Sequence, residues 1–152
     1  MARSREQRVK DTLEGLRTEV DAWVATANGA GRPYLVPLSF YWNGEVMIVT
    51  TPRSSRTGSN FLATGRARVA IGHTRGNVIV IDAGVEEMPI GENVKLEDAY
   101  VRATEFDPRP WDAGYTFFRL TPVRIQTWRG DDAEELRDKD VMRDGSFLST
   151  LG

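Results

Sequence analysis

Six hydroxyl side chains, two arginines and one glycine stand together in Thr50-Thr51-Pro52-Arg53-Ser54-Ser55-Arg56-Thr57-Gly58-Ser59-Asn60. A phosphate or carboxylate needs several hydrogen-bond donors in a small space, and guanidinium and hydroxyl groups supply them. If a helix begins inside this segment, its free N–H groups and positive dipole end add to the pull on an anion. The same residues also suit an ordinary polar loop closed by a helix cap, and both readings stay open at this level. The surrounding charge favours the anion site. Five arginines (Arg53, Arg56, Arg66, Arg68 and Arg75) and no acidic residue lie between Glu45 and Asp82, a net +5. From Asp82 through Asp107 there are eight acids and two bases, Lys95 and Arg102, a net −6.

Other candidates are weaker. His73, the single histidine, could serve as a general base or haem ligand, but it alternates with Val69 and Ile71 and is expected on a strand face near the core. The aromatics Tyr34, Phe40, Tyr41 and Trp42 could stack on a planar cofactor, although aromatics on hairpin strands more often pack. Trp111 lies in the proline-rich stretch Asp107-Pro108-Arg109-Pro110-Trp111, where a large ring has little structural reason to be, and is a candidate lid over a ligand. Gly29-Ala30-Gly31-Arg32-Pro33 lacks the third glycine of a dinucleotide fingerprint and leads into a strand, so it reads as a hairpin turn.

The chemistry must be positioned by a chain of 152 residues, a length that suits one domain spanning 1–152. The absence of cysteine excludes disulfides, thiolate metal sites and a thiol nucleophile, and one histidine argues against a histidine-rich metal centre. A formal charge of −2 gives no reason to expect a nucleic-acid or membrane partner. The charged amino terminus has no apolar segment behind it, and the longest uninterrupted apolar runs have four residues. Neither a secretory signal nor a membrane span is expected, and a cytoplasmic location is.

Ser4 with Gln7 is a capping pattern, and Val9, Leu13, Leu16 and Val20 then repeat at helical spacing, interrupted by Gly15. Strand character follows from Ala22 to Ala27, with a turn at Asn28 to Gly31. Pro33 to Tyr41 and Glu45 to Thr50, joined at Asn43-Gly44, predict a hairpin, with Pro37 marking an edge strand or a bulge. A short helix over Ser54 to Ala63 takes Ser54 or Ser55 as its cap and Gly65 just past its end. Strands are expected at Ala67 to His73, Asn77 to Ala83 and Phe117 to Trp128, the last with Leu120, Val123 and Ile125 as apolar positions. A helix is expected around Leu96 to Thr104, and Phe147-Leu148 can dock the tail. Short strands without regular βα alternation make this an α+β chain built on an antiparallel sheet or small barrel.

The run Gly31-Arg32-Pro33-Tyr34-Leu35-Val36-Pro37-Leu38-Ser39-Phe40, then Glu45 to Thr50 and Thr51 to Leu62, resembles the pyridoxamine 5′-phosphate oxidase-like family of flavin- and deazaflavin-binding split β-barrels. Arg66-Ala67-Arg68-Val69-Ala70 matches that family's next strand, and the tail from Trp128-Arg129 to Phe147-Leu148 is similar to a form common among its actinobacterial members. The resemblance implies a homodimeric, six-stranded antiparallel split β-barrel with a few short peripheral helices. It implies FMN or the deazaflavin coenzyme F(420) in a groove between two subunits. Val36, Pro37, Leu38 and Ser39 then lie near the ring system. Thr50, Thr51, Ser54, Ser55, Arg56, Thr57 and Asn60 surround the ribityl–phosphate end, and Asn77 and Val78 approach the ring from the partner subunit. Many members carry Ser-Arg-Lys where this chain has Ser55-Arg56-Thr57. Loss of one charge-assisted contact weakens phosphate binding by ~1.5–3 kcal/mol unless another cation replaces it, and Arg53 is the nearby candidate.

The expected function is therefore an FMN- or deazaflavin-dependent oxidoreductase that exchanges hydride with a small organic substrate. Strict pyridoxamine phosphate oxidase activity is not expected, because the family's C-terminal substrate motif of neighbouring Arg and His is absent. Two alternatives remain: a cofactor carrier or sensor of the same fold, favoured by the Thr57 departure and the lack of a clear proton donor, and a haem-binding relative that uses His73.

Overall fold

The computed structural model describes residues 1–149. Helix α1 (Arg5–Thr18) begins where the capping pattern places it, with Ser4 Oγ accepting the Gln7 N–H at 3.0 Å. Val9 and Leu16 enter the core and Leu13 packs on its margin, whereas Val20 falls beyond the helix and is exposed. Gly15 has a packing reason that outweighs its poor helix propensity. A Cβ there would stand 2.7 Å from Ile79 Cδ1, so the helix lies directly on the sheet.

The next two strands, β1 (Asp21–Ala27) and β2 (Pro33–Ser39), pair along their whole length from Asp21↔Ser39 to Ala27↔Pro33. Asn28 closes the turn between them by accepting the Ala30 and Arg32 N–H groups on Oδ1. This corrects the expected partner of the Pro33 strand. The Asn43-Gly44 turn joins only the two-residue β3 (Tyr41–Trp42) to β4 (Met47–Pro52), because the chain leaves β2 at Ser39 and buries Phe40. As its proline suggested, β2 is an edge strand, at one end of the sheet.

Helix α2 (Arg56–Thr64) is capped by Ser55 and ends at Gly65 in the left-handed region, φ 64°. There follow β5 (Arg66–Ile71), β6 (Asn77–Met88), α3 (Val94–Thr104), β7 (Tyr115–Arg129), a 3-10 turn at Glu135–Arg137, β8 (Asp140–Arg143) and β9 (Ser146–Phe147). All pairings are antiparallel, in the order β2-β1-β5-β6-β7-β4-β3, with β8 on β7 and β9 on β8. Among the described residues the sheet thus has nine strands rather than the expected six. Six strands have at least six residues, and the other three are pairings of two to four residues too short to carry a sequence pattern. The sheet curls until β2 lies against β4 without pairing to it.

Residues 72–76 form the turn between β5 and β6, so His73 is exposed there and not on a strand face. Val123 is displaced outward where the β6–β7 register slips, from Asp82↔Arg124 to Ala83↔Pro122, and is 45% exposed. Inside the curl Val24, Val49, Phe61, Val69, Ile81, Phe118 and Leu120 make the core. A second cluster of Ile48, Met88, Tyr100 and Phe117 lies under α3. Strand β4 serves both clusters and is buried from Met47 to Thr51, which explains its unalternating sequence. No helix among the described residues is long and apolar enough to cross a membrane.

Candidate functional site

The hydroxyl-rich segment runs from the end of β4 into α2, and most of its polar groups are used in holding that junction together. Thr50 Oγ1 donates to the Thr116 carbonyl at 2.8 Å. Thr51 Oγ1 and Ser55 Oγ share a hydrogen bond of 2.9 Å, and Ser55 Oγ accepts the Gly58 N–H at 3.0 Å. Thr57 is buried, and Asn60 Nδ2 donates to Thr26 Oγ1 at 3.0 Å, tying α2 to β1. Gly58 is no flexible link. A Cβ on it would come within 2.5 Å of the Pro52 carbonyl oxygen and 2.8 Å of that of Arg53, because the turn folds back onto the helix.

Two of the expected donors, Ser54 and Arg56, remain exposed, together with Ser59. These three line a cavity of about 310 Å³ with Asn60 and with Asn28, Arg32, Pro33 and Tyr34 of the β1–β2 hairpin. The cavity lining contains two guanidinium groups and no acidic side chain. Neither Arg32 nor Arg56 is ion-paired among the described residues. The Arg56 guanidinium carbon lies 5.7 Å from the centroid of the Tyr34 ring. Sequence reasoning missed Arg32 and Asn28 as site residues, offered Tyr34 only as a possible stacking ring, and included Ser59 in the hydroxyl-rich segment without singling it out. Asn28, Arg32 and Tyr34 belong to the β1–β2 hairpin, which the fold brings across to α2, and the sequence carries no local signal of that approach.

Arg53, the nearby cation the sequence offered, lies outside the cavity, and Glu87 holds its guanidinium at 3.1 Å. The second guanidinium in the cavity lining, beside that of Arg56, belongs to Arg32. The charge asymmetry along the chain is in part a cross-strand pairing. Arg68 meets Asp82 at 2.6 Å, as the β5–β6 register sets them opposite one another.

The remaining expected residues lie elsewhere. On β2, Val36 and Leu38 are half-buried, Pro37 is exposed, and Ser39 Oγ donates to Asp21 Oδ1 at 2.7 Å. Asn77 and Val78 open β6 and line no part of the Arg32–Arg56 cavity. Asn77 Oδ1 accepts from Arg3 Nη1 at 2.8 Å and from Thr127 Oγ1 at 3.0 Å. Trp111 is 60% exposed and rests against Phe106, with ring centroids 6.0 Å apart. Its loop is joined to the candidate site by the Arg53 N–H, which donates to the Gly114 carbonyl at 2.9 Å.

Three groups with strongly shifted acidity lie outside the cavity. Burial pushes the Tyr100 phenol up to about 12. Burial also works to raise the Glu135 carboxyl, but hydrogen bonds and charge from Arg3 outweigh it and bring the value down to about 2. Asp140 is likewise held at about 2, with Arg143, Gln126 and Arg124 overcoming its burial.

No protein-family model matches the chain, and neither does any curated protein. Solved structures do. An FAD-binding protein from Mesorhizobium loti is 21% identical, with 84% of this chain and 93% of that one covered at a TM-score of 0.65. An F(420) reductase is 19% identical over 74% of this chain and 93% of its own, at a TM-score of 0.59. The chain shares their fold. A Listeria innocua protein named for pyridoxamine 5′-phosphate oxidase has it too (11% identity, 79% of this chain, 97% of that one, TM-score 0.66), which supports the resemblance read from the sequence. So does a haem-binding protein from Mycobacterium smegmatis, 14% identical over 86% of this chain at a TM-score of 0.69. The match spans 56% of that protein's length.

Proposed function

We propose that the chain binds FMN or F(420) as a homodimer and works as an oxidoreductase on a small organic substrate. The observation that carries this reading is the acid-free cavity at the start of α2, where Arg32 and Arg56 face one small space with Ser54 and Ser59. Its donor set fits a phosphate, and neighbours of the same fold named for FAD and F(420) support a flavin-type group. Arg32, Arg56, Ser54 and Ser59 would hold the phosphate. Thr50, Thr51, Ser55, Thr57 and Asn60 keep the turn and helix in place behind it. Val36, Pro37, Leu38 and Ser39 would lie toward the ring, and Asn77 and Val78 would approach it from a second copy. When bound, the cofactor supplies the two-electron chemistry, while the protein supplies binding and orientation.

The second copy is supported by exposed apolar surface. Trp23 and Leu35 are 55% and 59% exposed on the outer face of β1 and β2, beside Pro37. A cavity of about 730 Å³, walled by small residues such as Ala25, Ala67, Ala83 and Gly84, opens on the adjacent strands. Contiguous apolar surface of this kind marks an interaction site.

Titration of the purified protein with FMN, and separately with F(420), tests the proposal. One of them should bind, and Arg56→Ala should weaken it by roughly tenfold or more, the loss of one charge-assisted contact. Failure to bind either, or an unchanged affinity in Arg56→Ala, would overturn the phosphate assignment. Turnover with enones or quinones under a chemical reductant separates an enzyme from a carrier. A haem reading rests on a different observation: His73 lines a cavity of about 320 Å³ with Trp23 and Pro37. A Soret band that disappears in His73→Ala would establish it in place of the flavin.

A further inference from the structure

Arg56 is the first residue of α2, is exposed, and has no carboxylate partner among the described residues. A long side chain in that position is ordinarily mobile, and its freedom must be given up each time an anion binds. Pairing it with Asp or Glu would hold it still but cancel its charge. An aromatic face restrains a guanidinium and leaves its N–H edge and full charge available. Tyr34 supplies such a face, with its ring centroid 5.7 Å from Arg56 Cζ in the same cavity.

The ring is itself anchored to the helix it serves. Tyr34 is half-buried and stands opposite Thr26 in the β1–β2 ladder. Thr26 Oγ1 accepts from Asn60 Nδ2 at 3.0 Å, and Asn60 lies one turn beyond Arg56 on α2. The hairpin and helix are thereby fixed relative to one another, which keeps the Tyr34 ring within reach of the Arg56 side chain.

We propose that Tyr34 is a positioning residue for the anion-binding Arg56, holding its guanidinium ready over the ring without neutralising it. This inference rests on the phosphate-pocket reading and concerns how that pocket is made ready. The ring, not the hydroxyl, carries the effect, so Tyr34→Phe should behave as the wild type and Tyr34→Leu should not.

The experiment compares FMN with riboflavin, which lacks the phosphate, on the wild type, Tyr34→Phe, Tyr34→Leu, Arg56→Ala and the Tyr34→Leu/Arg56→Ala double variant. Tyr34→Leu should weaken FMN by about two- to fivefold, the range of an exposed cation–π contact, and leave riboflavin unchanged. In the Arg56→Ala background the Tyr34→Leu change should add nothing, because its target is gone. Equal FMN affinity in wild type and Tyr34→Leu overturns the proposal. An equal loss for riboflavin does so as well, since the ring would then act on the fold or the flavin. An additive double variant, or a Phe variant as weak as Leu, also overturns it. Inorganic phosphate titrated against the same proteins gives an arm that needs no flavin. Phosphate binding that weakens in Tyr34→Leu supports the positioning role even if no flavin binds, which would sink the cofactor reading alone. Where neither phosphate nor FMN binds the wild type, both fail.

Discussion

Replacing Gly58 with alanine tests whether the turn at Pro52–Ser55 closes against α2 as described. Alanine in a helix gains up to about 1 kcal/mol over glycine, so propensity alone forecasts stabilisation. The contacts forecast the reverse. The new Cβ would lie 2.5 Å from the Pro52 oxygen and 2.8 Å from the Arg53 oxygen, and both obstacles are main-chain groups that cannot rotate aside. Overpacking of this kind costs about 1–3 kcal/mol. Pushing the turn outward also strains the 3.0 Å bond from the Gly58 N–H to Ser55 Oγ, a cap whose loss costs about 1 kcal/mol. The balance is a destabilisation of about 1–3 kcal/mol, or roughly 2–12 °C in Tm for a chain of this size. Thermal and urea unfolding of Gly58→Ala against Gly29→Ala provides the assay. Gly29 has nothing within 4 Å of its Cβ position, and its variant should stay within about 0.5 kcal/mol of the wild type. FMN affinity should fall with stability in Gly58→Ala, because the displaced turn carries Ser54 and leads into Arg56. An unchanged or raised midpoint would refute the close packing and, with it, the reason given for this glycine.

Arg32→Ala should weaken FMN by roughly 10- to 150-fold, about 1.5–3 kcal/mol, while Arg53→Ala should leave it unchanged, as calorimetric titration will show. Glu135 is almost fully buried against Arg3 at 2.6 Å, and Glu135→Gln should cost about 1.5–3 kcal/mol in urea unfolding, because Arg3 loses its buried carboxylate and keeps only the half-buried Asp11 at 2.7 Å as an ionic partner. Because the folded carboxyls of Glu135 and Asp140 are lowered to about 2, their stabilisation is complete above the unfolded pKa near ~4 and is lost as pH falls toward 2. Urea midpoints measured down that window should drop in the wild type and drop less in Glu135→Gln.

Much of the local structure was legible because its causes lie within a few residues. The Ser4 and Ser55 caps, the Asn28 turn and the left-handed Gly65 each depend on contacts two to four residues away, and each occurs where the pattern places it, Ser55 being one of the two caps offered there. The hydroxyl and arginine composition of residues 50–60 likewise marked the segment that borders the acid-free cavity. Pattern was a poorer guide to strand partners. Pro33 to Ser39 is flanked by two good turns, and it pairs with β1 and not β4, the chain leaving the strand at Ser39 to bury Phe40.

Which donors face the cavity was decided by the tertiary structure alone. Local composition offers six hydroxyls equally, but β4 is buried on both faces, so Thr50 and Thr51 turn inward. Arg53 and Arg56 differ by three positions, yet one meets Glu87 from β6 and the other lies over Tyr34 from β2. Arg32 reaches the site only because the curled sheet brings the β1–β2 turn to the start of α2. The sequence by itself determined that hydroxyl groups and arginines cluster near position 55. Long-range packing determined which of them face the cavity, because a charge is free for a ligand only where the fold gives it no partner of its own.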